Sequence, residues 1–257
     1  MKNCILPEQS TIFYSRNHEN RRFYEYIHLK PSSNFFLIKI DDRGRQTALS
    51  FRLMTEREFK HNEDSENLFY NLYFGGLIFI GVFSLIIGYI LRFTVFYTYG
   101  LYALVMAFFM FINIGFGFKY LHPQQPEVKR FLDVIMVIPL LASFLFFSTS
   151  YFNLKKENPL HYRFVLFIFG LYGLALIFLG IYPARLSMIQ YIFLNYFLIT
   201  ATYVILTIIA LKALVRNRVK ALFFLSAFAV LAISGVLFAM IDASIIPHDW
   251  VFTNPLL

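Results

Sequence analysis

The chain has 257 residues, 58% of them hydrophobic and 20% aromatic, with 23 Lys and Arg against 15 Asp and Glu and a formal net charge of +8. This much apolar surface excludes a water-soluble globular domain, and the lack of a long basic run excludes a grip on a nucleic-acid backbone. One cysteine, Cys4, excludes an intrachain disulfide and a cysteine-built metal site.

Charge divides the chain unevenly. Residues 1–70 hold 11 of the basic and 10 of the acidic residues, whereas the remainder holds 12 basic and 5 acidic ones, so the basic balance belongs to the apolar part. Residues 1–67 read as a partial extracellular β-sandwich-like segment of antiparallel strands. Phe23–Leu29 and Phe35–Ile40 are aromatic and β-branched runs, separated by Pro31-Ser32-Ser33-Asn34, and the second is closed by Asp41-Asp42-Arg43-Gly44. Thr47–Met54 alternates apolar and polar residues with the period of a half-buried strand. Thr55–Asn67 is charged and reads as the link from this sheet to the membrane. The first residues lack the apolar core of a signal peptide.

Residues 68–257 read as an all-α polytopic membrane bundle. Six stretches are long enough to cross a bilayer, near 72–92, 96–118, 131–152, 163–182, 188–211 and 219–246. Each approaches the roughly 20 apolar residues needed to cover about 30 Å of hydrocarbon. Short connections make neighbours antiparallel, and Trp250 is a candidate interfacial anchor. Connections one, three and five carry Arg92, Lys155, Lys156, Arg163, Lys212, Arg216, Arg218 and Lys220, against Lys119, Lys129, Arg130 and Arg185 in connections two and four. The positive-inside rule therefore places the odd connections in the cytoplasm and the amino-terminal segment outside, with a margin that narrows once Arg57 and Lys60 are counted. The expected location is a bacterial inner membrane. A segment exported without a signal peptide, and a carboxyl end just after the sixth stretch, suggest a fragment or truncated reading frame of a longer receptor.

Polar groups within the membrane need a reason. Asp133 and Asp242 fall near the outer ends of the third and sixth stretches, while Asn113 and Asn195 fall deeper, in the second and fifth. These four are the candidate ligand-binding residues, the aspartates facing each other across an outward-opening site. The plainer reading puts the aspartates in interfacial water and the asparagines in bonds between helices. The six histidines show no metal-ligand spacing, and no catalytic motif is found, so no cofactor, metal or enzymatic activity is expected. Ile112-Asn113-Ile114-Gly115-Phe116-Gly117-Phe118 has glycine spacing that serves either close helix packing or a hinge.

The order of these features resembles the bacterial seven-transmembrane receptors with diverse intracellular signalling modules. The likeness is carried by Phe96-Tyr97-Thr98-Tyr99-Gly100-Leu101-Tyr102, by Gly115-Phe116-Gly117-Phe118-Lys119-Tyr120-Leu121-His122-Pro123, and by Phe147-Ser148-Thr149-Ser150-Tyr151-Phe152-Asn153-Leu154 with Lys155-Lys156-Glu157-Asn158-Pro159 after it. Arg21-Arg22-Phe23 is similar to a strand entry of that family's outer domain. The resemblance implies a receptor whose outer β-sandwich senses a ligand, with carbohydrate as one candidate, and whose helices signal to a cytoplasmic kinase, cyclase or DNA-binding response module, as in two-component systems. The expected partners are the bilayer, that ligand, the signalling module and a second copy of the chain. The sequence departs from the family pattern in an incomplete outer domain, a missing seventh helix and the absence of an output module. A secondary transporter or channel is the alternative reading.

Overall fold

The computed structural model describes residues 54–125, 128, 131–132, 135–181 and 188–242. The expected strands before residue 54 lie outside these residues. Among the described residues there is no strand, and the regular elements are eight helices: α1 Glu56–Leu91, α2 Thr94–Asn113, α3 Phe116–Tyr120, α4 Val137–Tyr151, α5 Leu154–Glu157, α6 Pro159–Ile181, α7 Met188–Arg216 and α8 Arg218–Asp242.

Four of these helices are long and apolar enough to cross a membrane, namely α1, α2, α6 through Leu179 and α7 from Phe193; α4 is apolar but shorter. The sixth expected stretch is the helix α8. On α1 the exposed residues include Phe79, Phe83, Ile86 and Ile90, and on α6 Phe167, Leu174 and Ile177. Large apolar side chains repeated at helical spacing on an outer face suit lipid and not water. The protein is thus a multi-pass α-helical membrane protein.

Two helix boundaries differ from the sequence-based expectation and a third helix is interrupted, each for a local reason. The first helix, expected from about residue 72, is already helical from Glu56 and so includes the charged stretch after Thr55. Thr55 starts it with a reciprocal cap. The Thr55 backbone N–H donates to Glu58 Oε2 at 2.9 Å and the Glu58 N–H donates to Thr55 Oγ1 at 3.3 Å, which satisfies two donors that a helix start would otherwise orphan. Lys60 Nζ then meets Glu56 Oε1 at 2.7 Å one turn on. At about 1.5 Å per residue the 36 residues of α1 are ~54 Å long, well beyond the ~30 Å of hydrocarbon.

The second helix, expected to run unbroken to Phe118, stops at Asn113. Gly115 takes a left-handed backbone (φ 97°), and Ile114 N–H and Gly115 N–H close the turn on Met110 O and Ile112 O at 2.9 and 3.1 Å. This is the usual glycine stop of a helix carboxyl end. In the third stretch Phe131, Leu132 and Ile135 are helical as expected, but a turn at Met136 precedes the regular run of α4 from Val137. Pro139 has no N–H to offer Ile135 O, so the regular run begins where proline is tolerated, in the first turn.

The described residues fall into two compact units, one within Asn67–Ile209 and the other of 54–66 with 210–242. In the first, α2 packs along α4, and α6 packs against α4 and α5. The turn between α4 and α6 is set by Asn153 in the left-handed region (φ 50°), by buried Leu154, and by Pro159 at the first position of α6. In the second unit α8 is capped by Asn217, whose Oδ1 accepts from Lys220 N–H at 3.2 Å. Ala221, Phe224 and Phe228 form the buried stripe of α8, with the two phenylalanine rings stacked 5.9 Å apart.

Candidate functional site

With little polar chemistry inside the spans, the candidate site is the arrangement that holds α1, α2 and α4 together. On α1 the buried positions are Gly81, Ser84 and Gly88, one face at helical spacing. Gly100 of α2 approaches this face so closely that a Cβ there would stand 2.7 Å from Gly81 O and 2.9 Å from Leu85 Cγ. A Cβ on Gly81 would meet Leu104 Cδ2 at 2.8 Å, and one on Gly88 would meet Tyr97 ring atoms and its backbone nitrogen at 3.1 Å. Within lipid, helices cannot be driven together by excluding water, so close backbone approach over small residues supplies the packing attraction instead.

Along its other face α2 is joined to α4 by aromatic rings. Tyr102 lies 5.1 Å from Phe144 and 6.4 Å from Phe147, Tyr99 lies 5.4 Å from Phe147, and Phe147 continues to Tyr151 at 5.7 Å. Between the rings the buried hydroxyls of α4 and α2 turn inward on their own helices. Ser148 donates to Phe144 O at 2.8 Å, Thr149 to Phe146 O at 2.7 Å, Ser143 to Leu140 O at 2.9 Å and Thr98 to Val95 O at 3.0 Å. Satisfied in this way, the hydroxyls behave as small residues that let the helices close up.

A hydrogen bond links α6 to α7, between Tyr172 Oη and Thr202 Oγ1, both buried. Thr202 donates its one proton to Leu198 O at 2.6 Å, so Tyr172 is the donor to Thr202.

The carboxyl end of α2 carries a second aromatic cluster. Phe116, just past Gly115, lies edge-on to Tyr70 at 6.2 Å and to Phe74 at 5.9 Å, both from α1. It stacks on Phe111 of α2 at 5.9 Å and on Tyr120 of α3 at 6.2 Å. A Cβ on Gly117 would meet Ile112 Cδ1 at 2.5 Å and Ile112 Cα at 3.2 Å, so α3 lies folded on the last turn of α2.

The four residues singled out from the sequence fare differently. Asn113 is exposed at the end of α2, and its amide donates to Phe109 O at 3.0 Å, a bond within its own helix and not the expected bond between helices. Asn195 is half-buried on α7. Asp133 lies outside the described residues. Asp242 is the last residue of α8, and its side chain lies outside them as well, so the expected facing pair of aspartates does too. Among the described residues no group of three His, Cys, Asp or Glu stands close enough to hold a metal ion. Sequence reasoning missed the Tyr70–Phe74–Phe116 contact and the Tyr172–Thr202 bond. The first had a visible signal in aromatics four residues apart on α1; the second had none.

A family model described as 7TM diverse intracellular signalling matches residues 66–257. The curated proteins and the solved structures compared with the chain yield no match. The match includes the glycine-packed pair and the Phe116 cluster, and the chain belongs to the 7TM diverse intracellular signalling family, as a membrane-embedded signalling receptor module.

Proposed function

We infer that the chain is the helical core of a sensory receptor in a bacterial inner membrane. The amino-terminal segment faces outward and senses an extracytoplasmic ligand, with carbohydrate as one candidate. The helices relay a conformational signal to a cytoplasmic output module and catalyse nothing themselves. The family match over residues 66–257 carries this reading. The character of the spans supports it. No charged residue occurs in 67–91, 93–118, 134–154, 164–184, 186–211 or 221–241. Coupled ion transport would call for charges or broken helices near the midplane. Packing, by contrast, is abundant, and a ligand can shift a packed bundle between two arrangements by binding one of them better.

Alkaline phosphatase fusions test the orientation on which the reading depends. Fusions ending after Gln125 are expected to be active and fusions ending after Glu157 inactive. The reverse pattern would put the amino-terminal segment in the cytoplasm and remove the sensor role.

A further inference from the structure

We propose that α3 is a latch, hinged at Gly115 and held shut by the Phe116 cluster, through which movement of α1 is passed to α2. This rests on the receptor reading for the direction of the signal and on geometry for the device. The hinge is real in backbone terms: Gly115 at φ 97° separates two helical segments in a conformation that side-chain-bearing residues rarely adopt. The latch closes on two sides. Gly117 lies against Ile112 on α2, and Phe116 lies between Tyr70 and Phe74 on α1.

The contacts of α1 at the glycines and at the Phe116 rings differ in kind. At Gly81 and Gly100 the helices touch backbone to backbone, with only the aliphatic side chains of Leu104 and Leu85 seated over the two glycines. The flexible ends of these leucines can turn as the helices rotate, so the contact can act as a pivot. About 10 and 16 Å along α1 from Gly81, at some 1.5 Å per residue, Phe74 and Tyr70 interlock with Phe116. Turning α1 about the pivot changes the glycine contact little and withdraws both rings from Phe116. With those rings gone, α3 is held by the backbone bonds Lys119 N–H to Gly115 O at 3.1 Å and Leu121 N–H to Gly117 O at 2.9 Å, and by its contacts with α2. Because α2 also packs on α4, a change at its end has a path into the rest of the first unit.

Amide hydrogen exchange of the full chain in lipid nanodiscs tests this. Phe116→Ala is expected to speed exchange at Lys119, Leu121 and His122 by about tenfold or more, through loss of four ring contacts, while residues 98–107 and 141–149 keep their protection. A second variant moves α1 without removing a ring. One alanine inserted between Gly76 and Leu77 turns Tyr70 and Phe74 by about 100° relative to Gly81. A Cβ at Gly75 or Gly76 would meet no neighbouring element within 4 Å, so a methyl group here has room. It is expected to release the same three amides. Unchanged exchange at those amides in either variant overturns the latch, and so does equal loss of protection across α2 and α4. The readout needs no ligand, so either failure leaves the receptor reading to the phosphatase fusions.

Discussion

Gly81 and Gly100 touch backbone to backbone, whereas Gly170 and Gly173 on α6 have no atom within 4 Å of where a Cβ would stand. The two pairs look alike in sequence, each set in an apolar helix. They do opposite work. The first pair trades helix propensity for a close approach in a solvent without hydrophobic drive between helices. The second pair faces open space and carries only the cost of glycine in a helix. The difference teaches that a glycine in a span acquires meaning from what lies opposite it.

The largest effect should come from the closed pair. Gly100→Ala puts a methyl group 2.7 Å from the rigid Gly81 carbonyl oxygen. Overpacking of this kind costs about 1–3 kcal/mol, so a clear fall in the thermal midpoint in detergent is expected. Gly81→Ala should cost less, because its closest neighbour is the end of a Leu104 side chain that can turn away. If both variants melted like the parent, the backbone contact would not be holding α1 to α2.

Next in size is Tyr172→Phe, which removes the donor to Thr202 between α6 and α7. A loss of about 0.6–1.7 kcal/mol is expected, as for other interhelical hydrogen bonds in lipid, and Thr202→Ala made together with it should add less than its separate effect. Full additivity in that cycle would show the two hydroxyls to be energetically independent.

The open pair should respond with the opposite sign. Gly170→Ala and Gly173→Ala meet no neighbour, so each should raise the thermal midpoint slightly, by up to about 1 kcal/mol of helix propensity. Destabilisation there would mean that a partner covers this face of α6.

The smallest effect belongs to the exposed start of α1. The Thr55 backbone N–H, and then its hydroxyl, hold the Glu58 carboxyl below its ordinary value of 4.5. The Lys60 ammonium does the same for Glu56, by hydrogen bond and then by charge. A carboxyl with a depressed value stabilises the fold in full above pH 4.5, and its contribution fades as pH falls through the lowered value. The first turn of α1 should therefore fray only below about pH 4.5, seen as faster exchange at residues 59–62. Fraying already at pH 6 would exclude these two carboxylates as the cause.

Much of the fold was legible because hydrophobic length is a local property. The six apolar stretches anticipated helices α1, α2, α4, α6, α7 and α8, as the approximate ranges 72–92 to 219–246 required. Boundaries were harder where backbone chemistry outweighed hydropathy. Thr55-x-x-Glu58 starts a helix that the charge of 56–67 disguised as a linker, and Gly115 ends one whose apolar run continues to Phe118. The candidate polar residues were chosen for the cost of burying them, yet Asn113 answers that cost within its own turn and is exposed.

Sequence alone determined that this chain lies in a membrane as a set of helices, because the price of apolar surface in water depends on composition and length, which are summed along the chain. Only the tertiary structure decided which glycines touch, which rings meet Phe116, and that Tyr172 donates to Thr202. Those facts depend on the rotation of each helix about its axis relative to its neighbours. Lipid solvates the apolar faces of a uniformly apolar helix alike, so hydropathy leaves that rotation open until the helices pack.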